Sequence, residues 1–436
     1  MTKPHRLSIA CLLALSLISG GEARGETPHL IAYAIENPAA GPNLTPWGLG
    51  PLAVWGTRSA LLYQDGQGRD WLYLQDRAGW EKHLRLPDQL TPNDRAHASY
   101  VFSGPEDFWL WSGVLGRTQL RHYRLHGEGS VIQGITRIEQ FAFGDADTRP
   151  GALLALADGA LVAVWHQFTL HADRHLEIGI FYRSPEGRIT TLAPLHVPGR
   201  EGNPVATRWA LAQHPADGSI WAFLKRDSYH EITAIRLLEE AGAVKFDGLR
   251  TDFIDRRQGP HAPESEFPYL AAVADLERKL ILLAYQNVRR QIFHLSDAEG
   301  TLIGGTCPVP DTGPLTAHLF DKGAQLSVAE IAGDGGLSFV ALPAYTERVR
   351  PFGLAADGGI LLMFEGAGCR THATPTRQRG AELFLARHQK KWRPLQRIGH
   401  AEVVSNTLAS HIFFNPERPQ FVVRLDDGRL YTIEER

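Results

Sequence analysis

Residues 151–167 read GALLALADGALVAVWHQ, two runs of small and apolar residues on either side of Asp158 and Gly159. An Asp-Gly pair between apolar runs is typical of a tight β-hairpin turn. Both runs are almost continuously apolar, which indicates strands that are covered on both faces. The stretch therefore predicts a hairpin that is buried between two neighbouring sheets.

The same pattern recurs along the chain. The clearest further copies are RWALAQHPADGSIWAFLKR (208–226), PYLAAVADLERKLILLAYQN (268–287), LSVAEIAGDGGLSFVAL (326–342), PFGLAADGGILLMFEG (351–366) and FFNPERPQFVVRLDDGRLYTI (413–433), with more degenerate copies at 52–64 and 99–113. Most copies precede a second, more amphipathic pair, as in HLEIGIFYRSPEGRITTL (175–192). Four strands in a repeat of about 50 to 60 residues are typical of a β-propeller blade. We predict an all-β fold, a β-propeller of four-stranded blades, with seven blades and with eight as the alternative.

Blade boundaries follow from the hairpins. Those near Asp334 and Asp357 are too close for two full blades, so we place both in one expanded sixth blade of about 310–400. The last blade shows three strands in HIFFN, QFVVRL and RLYTIEE, and a strand at about 28–35 would supply the fourth and close the ring. Residues 24–436 then form a single propeller domain, with a large β-sandwich or a β-helix as the competing architectures.

The N-terminus predicts export. MTKPHR carries positive charge, and LSIACLLALSLISG follows as a short apolar run. This pattern indicates a signal peptide of residues 1–23, cleaved after Ala23. We therefore expect a periplasmic or secreted protein without a membrane span. The net charge of −3 gives no reason to bind nucleic acid or an anionic membrane.

Two cysteines, Cys307 and Cys369, remain after the removal of Cys11 with the signal peptide. An oxidising compartment permits one disulfide between them, and two unpaired thiols are the alternative. No CxxC or HExxH spacing occurs, so we expect no structural zinc and no cofactor. The oligomeric state is open.

Basic residues and histidines collect where a propeller places the loops between second and third strands and the connections between blades. A mouth rich in arginine implies an anionic ligand, because the guanidinium group binds carboxylates and sulfates with two hydrogen bonds. Nearby aromatic side chains could stack on sugar rings or only fill gaps between blades. We therefore expect an acidic polysaccharide or oligosaccharide as the partner. The candidate binding residues are Arg174, Arg183, Lys225, Arg226, His230, Arg289, Arg290 and Arg379, and the aromatic ones are Trp165, Tyr182, Tyr229 and Tyr285.

Two short motifs resemble known propeller families. SPEGRIT, residues 184–190, resembles the Asp-box turn of the sialidase-like BNR-repeat propellers, with Glu186 at the acidic position. VWHQ (164–167) together with FYRS (181–184) resembles the seven-bladed polysaccharide lyases, in which His and Tyr act beside arginines on uronate polymers. The second resemblance implies His166, Tyr182 and Arg183 as the matching site residues.

The leading hypothesis is recognition of an acidic glycan, with β-elimination as the reaction. A cation must neutralise the uronate carboxylate, a base must remove the α-proton, and an acid must protonate the leaving oxygen. We predict Arg289 or Arg290 for the first role, His166 for the second and Tyr182 or Tyr285 for the third. Three alternatives stay open: a non-catalytic binding or scaffolding propeller, a sialidase-like hydrolase that uses Asp227 with Tyr229, and a metal-dependent site at His171 and His175.

Overall fold

The structure is a computed structural model. It describes residues 30–41, 44–46, 52–76, 81–91, 98–113, 118–128, 131–143, 148–169, 175–198, 208–225, 232–253, 269–287, 294–296, 302–303, 316–318, 325–342, 350–356, 360–365, 381–388, 391, 396–401, 412–415, 420–424 and 429–435.

The described chain forms 33 β-strands. After β1 (Leu30–Ile35), sheet 1 contains β2 (Thr45–Pro46), β3 (Ala53–Trp55), β4 (Arg58–Gln64), β5 (Asp70–Gln75) and β6 (Glu81–Arg85). Sheet 2 contains β7 (Ser99–Phe102), β8 (Asp107–Ser112), β9 (Thr118–Glu128) and β10 (Val131–Phe143). Sheet 3 contains β11 (Thr148–Ala155), β12 (Leu161–Thr169), β13 (His175–Arg183), β14 (Ile189–Thr191) and β15 (Leu195–Pro198). Sheet 4 contains β16 (Arg208–Gln213), β17 (Ile220–Lys225), β18 (Ile232–Glu240) and β19 (Ala243–Phe253).

Sheet 5 begins with β20 (Tyr269–Asp275) and β21 (Leu280–Asn287). The chain then forms a small sheet of β22 (His294–Ser296), β23 (Leu302–Ile303) and β24 (Thr316–His318), and returns to sheet 5 with β25 (Gln325–Ile331) and β26 (Leu337–Phe339). Sheet 6 contains β27 (Arg350–Ala356), β28 (Ile360–Glu365), β29 (Ala381–His388) and β30 (Gln396–Ala401). Sheet 7 contains β31 (Ile412–Asn415), β32 (Gln420–Arg424), β33 (Leu430–Glu435) and β1.

The predicted all-β fold with four-stranded sheets is confirmed. Every strand pair within the described residues is antiparallel. In this part of the chain no helix is long and apolar enough to cross a membrane.

The Asp-Gly hairpin of sheet 3 shows why these turns recur. Asp158 Oδ1 accepts a hydrogen bond of 2.9 Å from the amide of Ala160, so the turn carries its own side-chain support. Gly159 has a φ of +88°, and a Cβ there would lie 2.8 Å from the carbonyl oxygen of Ser103 in sheet 2. The left-handed backbone and the close approach of the neighbouring sheet both require glycine.

Apolar side chains from both faces of the sheets form the core. Sheets 1 and 2, 2 and 3, 3 and 4, and 4 and 5 each share a cluster of buried residues. The first strands β3, β7, β11, β16, β20, β27 and β31 contact one another in this order. Sheet 7 shares a further cluster with sheet 1, through Ile35, Tyr63, Val422 and Leu430. Because the first strands of neighbouring sheets lie side by side, the corresponding ends of their strands also lie close together. The candidate site is formed at one of these ends.

The sixth repeat differs from the prediction. The hairpin near Asp334 belongs to sheet 5, because β25 pairs with β21 and β26 with β25. Val328, Ala329 and Ile331 of β25 are fully buried, as expected for a strand inside a sheet. The residues between β21 and β25 are therefore an insertion within the fifth repeat, and the predicted expanded sixth blade of about 310–400 was wrong.

Candidate functional site

His166 lies near the end of β12, directly opposite Arg149 of β11 and Ile178 of β13. Residues opposite each other in antiparallel strands share a face, with Cβ atoms about 5 Å apart. Arg149 is partly exposed, whereas only 3% of His166 is exposed. The pair therefore places a partly exposed arginine beside a buried histidine.

Trp209 connects this pair to the next sheet. It lies at the start of β16, and its indole Nε1 donates a hydrogen bond of 3.0 Å to Nδ1 of His166. The ring is partly exposed and packs against the core between sheets 3 and 4. The hydrogen bond joins the end of β12 to the start of β16, so these two ends lie at the same side of the molecule.

A second pair of basic residues adjoins the first. Arg208, the residue before Trp209, lies opposite Lys225 at the end of β17. Arg208 is partly exposed and Lys225 is fully buried. Since Lys225 is two residues from Phe223, which packs in the core between sheets 4 and 5, it shares the face that points to sheet 5.

Tyr285 lies in the same interface, on the side of sheet 5. It is two residues from Leu283, packs in the core shared with sheet 4, and is fully buried. At the opposite end of these sheets, Nε2 of His214 lies 3.0 Å from the carbonyl oxygen of Ile331. That contact aligns the turn ends of sheets 4 and 5, so Tyr285 belongs to the same end as Lys225. We call the resulting group the basic strand-end cluster: Arg149, His166, Arg208, Trp209, Lys225 and Tyr285.

Tyr182 and Arg183 lie at the other end of sheet 3. Tyr182 is opposite Val162, four residues along β12 from His166, which corresponds to about 13 Å at the rise of a strand. Its hydroxyl donates a hydrogen bond of 2.6 Å to Glu239 of sheet 4. Burial, and then the Glu239 carboxylate, raise the pKa of the Tyr182 hydroxyl above its usual range. Arg183 stacks over the ring of Trp109, 5.3 Å from its centroid. The structure therefore does not bring the predicted acid Tyr182 to His166.

Replacing Tyr182 by Phe should lower the free energy of unfolding by about 1 to 2 kcal/mol, because a buried hydrogen bond to a carboxylate is lost. Urea unfolding measures this change, with an unchanged m-value as the sign of an intact fold. The matched variant Glu239→Gln keeps an oxygen acceptor and should cost less. Full stability of Tyr182→Phe together with a complete loss of turnover on a glycan would instead support a catalytic role.

The Asp-box-like turn forms as its sequence suggests. The Ser184 hydroxyl donates to Glu186 at 2.8 Å and accepts from the amide of Arg188 at 3.2 Å. Gly187 has a φ of +86° and donates its amide to the carbonyl oxygen of Ser184. Each of these contacts stabilises the turn itself, so the motif has a structural function here.

Trp165 and a further histidine also have structural roles. The Trp165 ring lies over Gly179, where a Cβ would be 1.9 Å from its Cε2 atom, and only 9% of this tryptophan is exposed. His122 lies between Asp107, at 2.8 Å, and Glu139, at 3.3 Å, and burial lowers its pKa. These contacts join β8, β9 and β10. Within the described ranges, no group of three His, Cys, Asp or Glu side chains is arranged to hold a metal ion.

Most of the predicted loop residues lie outside the described residues. These are Arg174, Arg226, His230, Arg289, Arg290 and Arg379, together with His171, Asp227, Tyr229, Cys307 and Cys369. Their roles stay predictions.

The sequence prediction missed Arg149, Arg208 and Trp209. A signal for the arginines exists: each stands nine residues before the aspartate of its Asp-Gly turn, Asp158 and Asp217. In a hairpin of this length, equal spacing from the turn places both at the same end of neighbouring first strands.

Comparisons with known proteins give limited information. No protein-family model matches the chain, and no curated protein matches it. The resemblance to the BNR-repeat propellers therefore stays a prediction.

Several solved structures resemble the chain weakly over most of its length. The polysaccharide lyase Uly1 has a TM-score of 0.49 at 10% identity, covering 88% of this chain and 89% of that one. An ulvan lyase bound to -[GlcA(1-4)Rha3S]- has a TM-score of 0.49 at 9% identity, covering 89% and 94%. An oligogalacturonate lyase in complex with manganese has a TM-score of 0.47 at 10% identity, covering 94% and 96%. These low values carry no conclusion about function.

Proposed function

We propose that this chain is an exported, carbohydrate-active β-propeller whose basic strand-end cluster binds an acidic glycan. The observation that carries the proposal is the placement of Arg149 and Arg208. Both are partly exposed, both lie at the same end of first strands of adjacent sheets, and the partly exposed Trp209 directly follows Arg208 there. Guanidinium groups beside an aromatic ring suit a sugar that carries carboxylate groups.

The propeller itself is part of the proposal. We infer that sheets 1 to 7 are seven blades of a closed ring, which the ordered contacts of the first strands and the core between sheets 7 and 1 support. Export is inferred from the signal peptide that the sequence predicts for residues 1–23, and N-terminal sequencing of the mature protein should give Arg24.

β-Elimination is the reaction that we propose for a uronate polymer at this site. Arginines that neutralise the uronate carboxylate make its α-proton more acidic, which favours removal of that proton and loss of the glycosidic oxygen. The sequence prediction gave the base to His166 and the acid to Tyr285, but neither role is part of this proposal, because only 3% and 0% of these residues are exposed.

A substrate panel tests the proposal. The mature protein is incubated with polygalacturonate, alginate, hyaluronan, a sulfated galactan and polysialic acid, and calorimetry measures binding. Ultraviolet absorbance follows the unsaturated uronate that elimination creates. We expect binding of at least one uronate polymer and a rising absorbance with it. Binding without any absorbance change would favour the non-catalytic alternative, and a preference for neutral glycans would contradict the proposal.

A further inference from the structure

The ring of Trp209 packs closely against Gly151 of β11. A Cβ at Gly151 would lie 3.1 Å from Cδ1 of Trp209 and 2.6 Å from the carbonyl oxygen of Val164. Any larger residue at position 151 would therefore push the indole away from β11. Glycine inside a strand commonly marks such a close approach.

His166 fixes the edge of the same ring. Its Nδ1 accepts the indole N–H, so in the neutral imidazole the proton resides on Nε2. In this tautomer neither nitrogen offers a lone pair for removing a proton from a substrate. The ring is also 3% exposed, which separates it from a ligand in the solvent.

Other tryptophans of the described chain differ from Trp209. Trp109, Trp111, Trp165 and Trp221 are buried in the core, and Trp71 is buried beside Asp65. Trp55 is partly exposed but lies at the turn between β3 and β4, the opposite end. Among the described tryptophans, Trp209 alone combines partial exposure with a position at the strand end where the cluster lies.

We propose that Trp209 is the sugar-stacking platform of the basic strand-end cluster and that His166 is a positioning residue that holds its ring. The inference rests on the proposed function, since it names the surface on which the glycan lies. The apolar C–H face of a pyranose packs on the indole, while its carboxylate reaches the guanidinium groups of Arg149 and Arg208 at the same strand end. His166 then contributes to affinity through Trp209 and not as a base.

The first test needs no ligand. In protein labelled with ¹⁵N-tryptophan, the indole N–H signal of Trp209 is identified by its loss in Trp209→Phe, and its hydrogen exchange is measured. We expect slow exchange in the wild type and in His166→Gln, whose side-chain oxygen also accepts a hydrogen bond. His166→Leu should exchange faster, and equal exchange in all three would overturn the positioning role.

The second test uses the uronate oligosaccharide that the panel selects and its carboxyl-reduced counterpart. Trp209→Ala should weaken binding of both sugars, because stacking does not depend on charge. His166→Leu should weaken binding about tenfold through loss of one hydrogen bond, and His166→Gln much less. If His166→Gln binds normally but abolishes turnover, His166 is the base and the proposal fails.

The two tests separate this inference from the proposed function. If the wild type binds no acidic glycan, the proposed function and the platform both fail, while the exchange measurement still decides whether His166 holds Trp209. If acidic glycans bind with unchanged affinity to Trp209→Ala, the proposed function stands and the platform is overturned.

Discussion

Replacing Arg149 and Arg208 together by methionine should weaken binding of the uronate oligosaccharide about 100-fold or more. Each guanidinium group is expected to contribute a charge-assisted hydrogen bond of about 1.5 kcal/mol or more, and a factor of ten corresponds to about 1.4 kcal/mol. Methionine keeps much of the length and apolar volume of the arginine stem. Calorimetric titration measures the loss, and the carboxyl-reduced sugar should show a much smaller one.

The control variant must remove two arginine charges from a surface outside the basic strand-end cluster. Arg124 and Arg188 are more than half exposed at the turn end of sheets 2 and 3, where they pair with Asp107 and Glu186. The double variant Arg124→Met/Arg188→Met has the same net charge as the test variant, and exposed ion pairs contribute little to stability. It should bind the acidic sugar almost normally. Equal losses in both double variants would show that binding follows overall charge, and the basic strand-end cluster would then have no special role.

The salt dependence of binding is a second measure of the contribution of Arg149 and Arg208. Raising the ionic strength should weaken wild-type binding, because interactions of exposed charges are screened. The Arg149→Met/Arg208→Met variant should show a smaller salt dependence, since the charges that are screened have been removed.

Much of the fold could be predicted because burial leaves a clear pattern. The hairpin around Asp158 has two nearly continuous apolar runs, and in the structure Leu161, Ala163 and Val164 are all fully buried between sheets. The strand order of the fifth repeat was harder to predict, because its second and third strands are separated by an insertion that contains strands of its own. Local patterns identify hairpins, but they do not show which distant strand fills the next position in a sheet.

The candidate site was predicted less well, for two physical reasons. Tyr182 and His166 were grouped by the resemblance of FYRS and VWHQ to the polysaccharide lyases, yet Tyr182 lies two residues before the turn that begins at Ser184, at the other end of the sheet. Taken singly, Arg149, Arg208 and Trp209 look ordinary in sequence, because a basic or aromatic residue at the start of a strand is common on protein surfaces. The strand register and the hydrogen bond of Trp209 to His166 show that they lie at the same end of sheets 3 and 4.

Removing residues 24–36 from the mature chain should lower the free energy of unfolding by several kcal/mol, a large fraction of the roughly 5–15 kcal/mol typical of native proteins. β1 pairs with β33 over six residues, and Ile35 is 2% exposed in the core shared by sheets 7 and 1. Asn37, just after β1, donates a hydrogen bond to the hydroxyl of Tyr63 in sheet 1. Without β1, the edge of β33 would also be open to pairing with another chain.

Urea unfolding and light scattering measure the two consequences. Removal of residues 24–28 alone is the control and should change neither stability nor association. A synthetic peptide of residues 24–37 should restore stability to the truncated protein by pairing with β33, whereas a peptide of scrambled sequence should not. The strand comes from the start of the chain and its partners from the end, so rescue by the peptide would mean that the two termini jointly complete sheet 7. A truncated protein of full stability would contradict the proposed closed ring, because sheets 7 and 1 would then hold together without β1 and its buried Ile35.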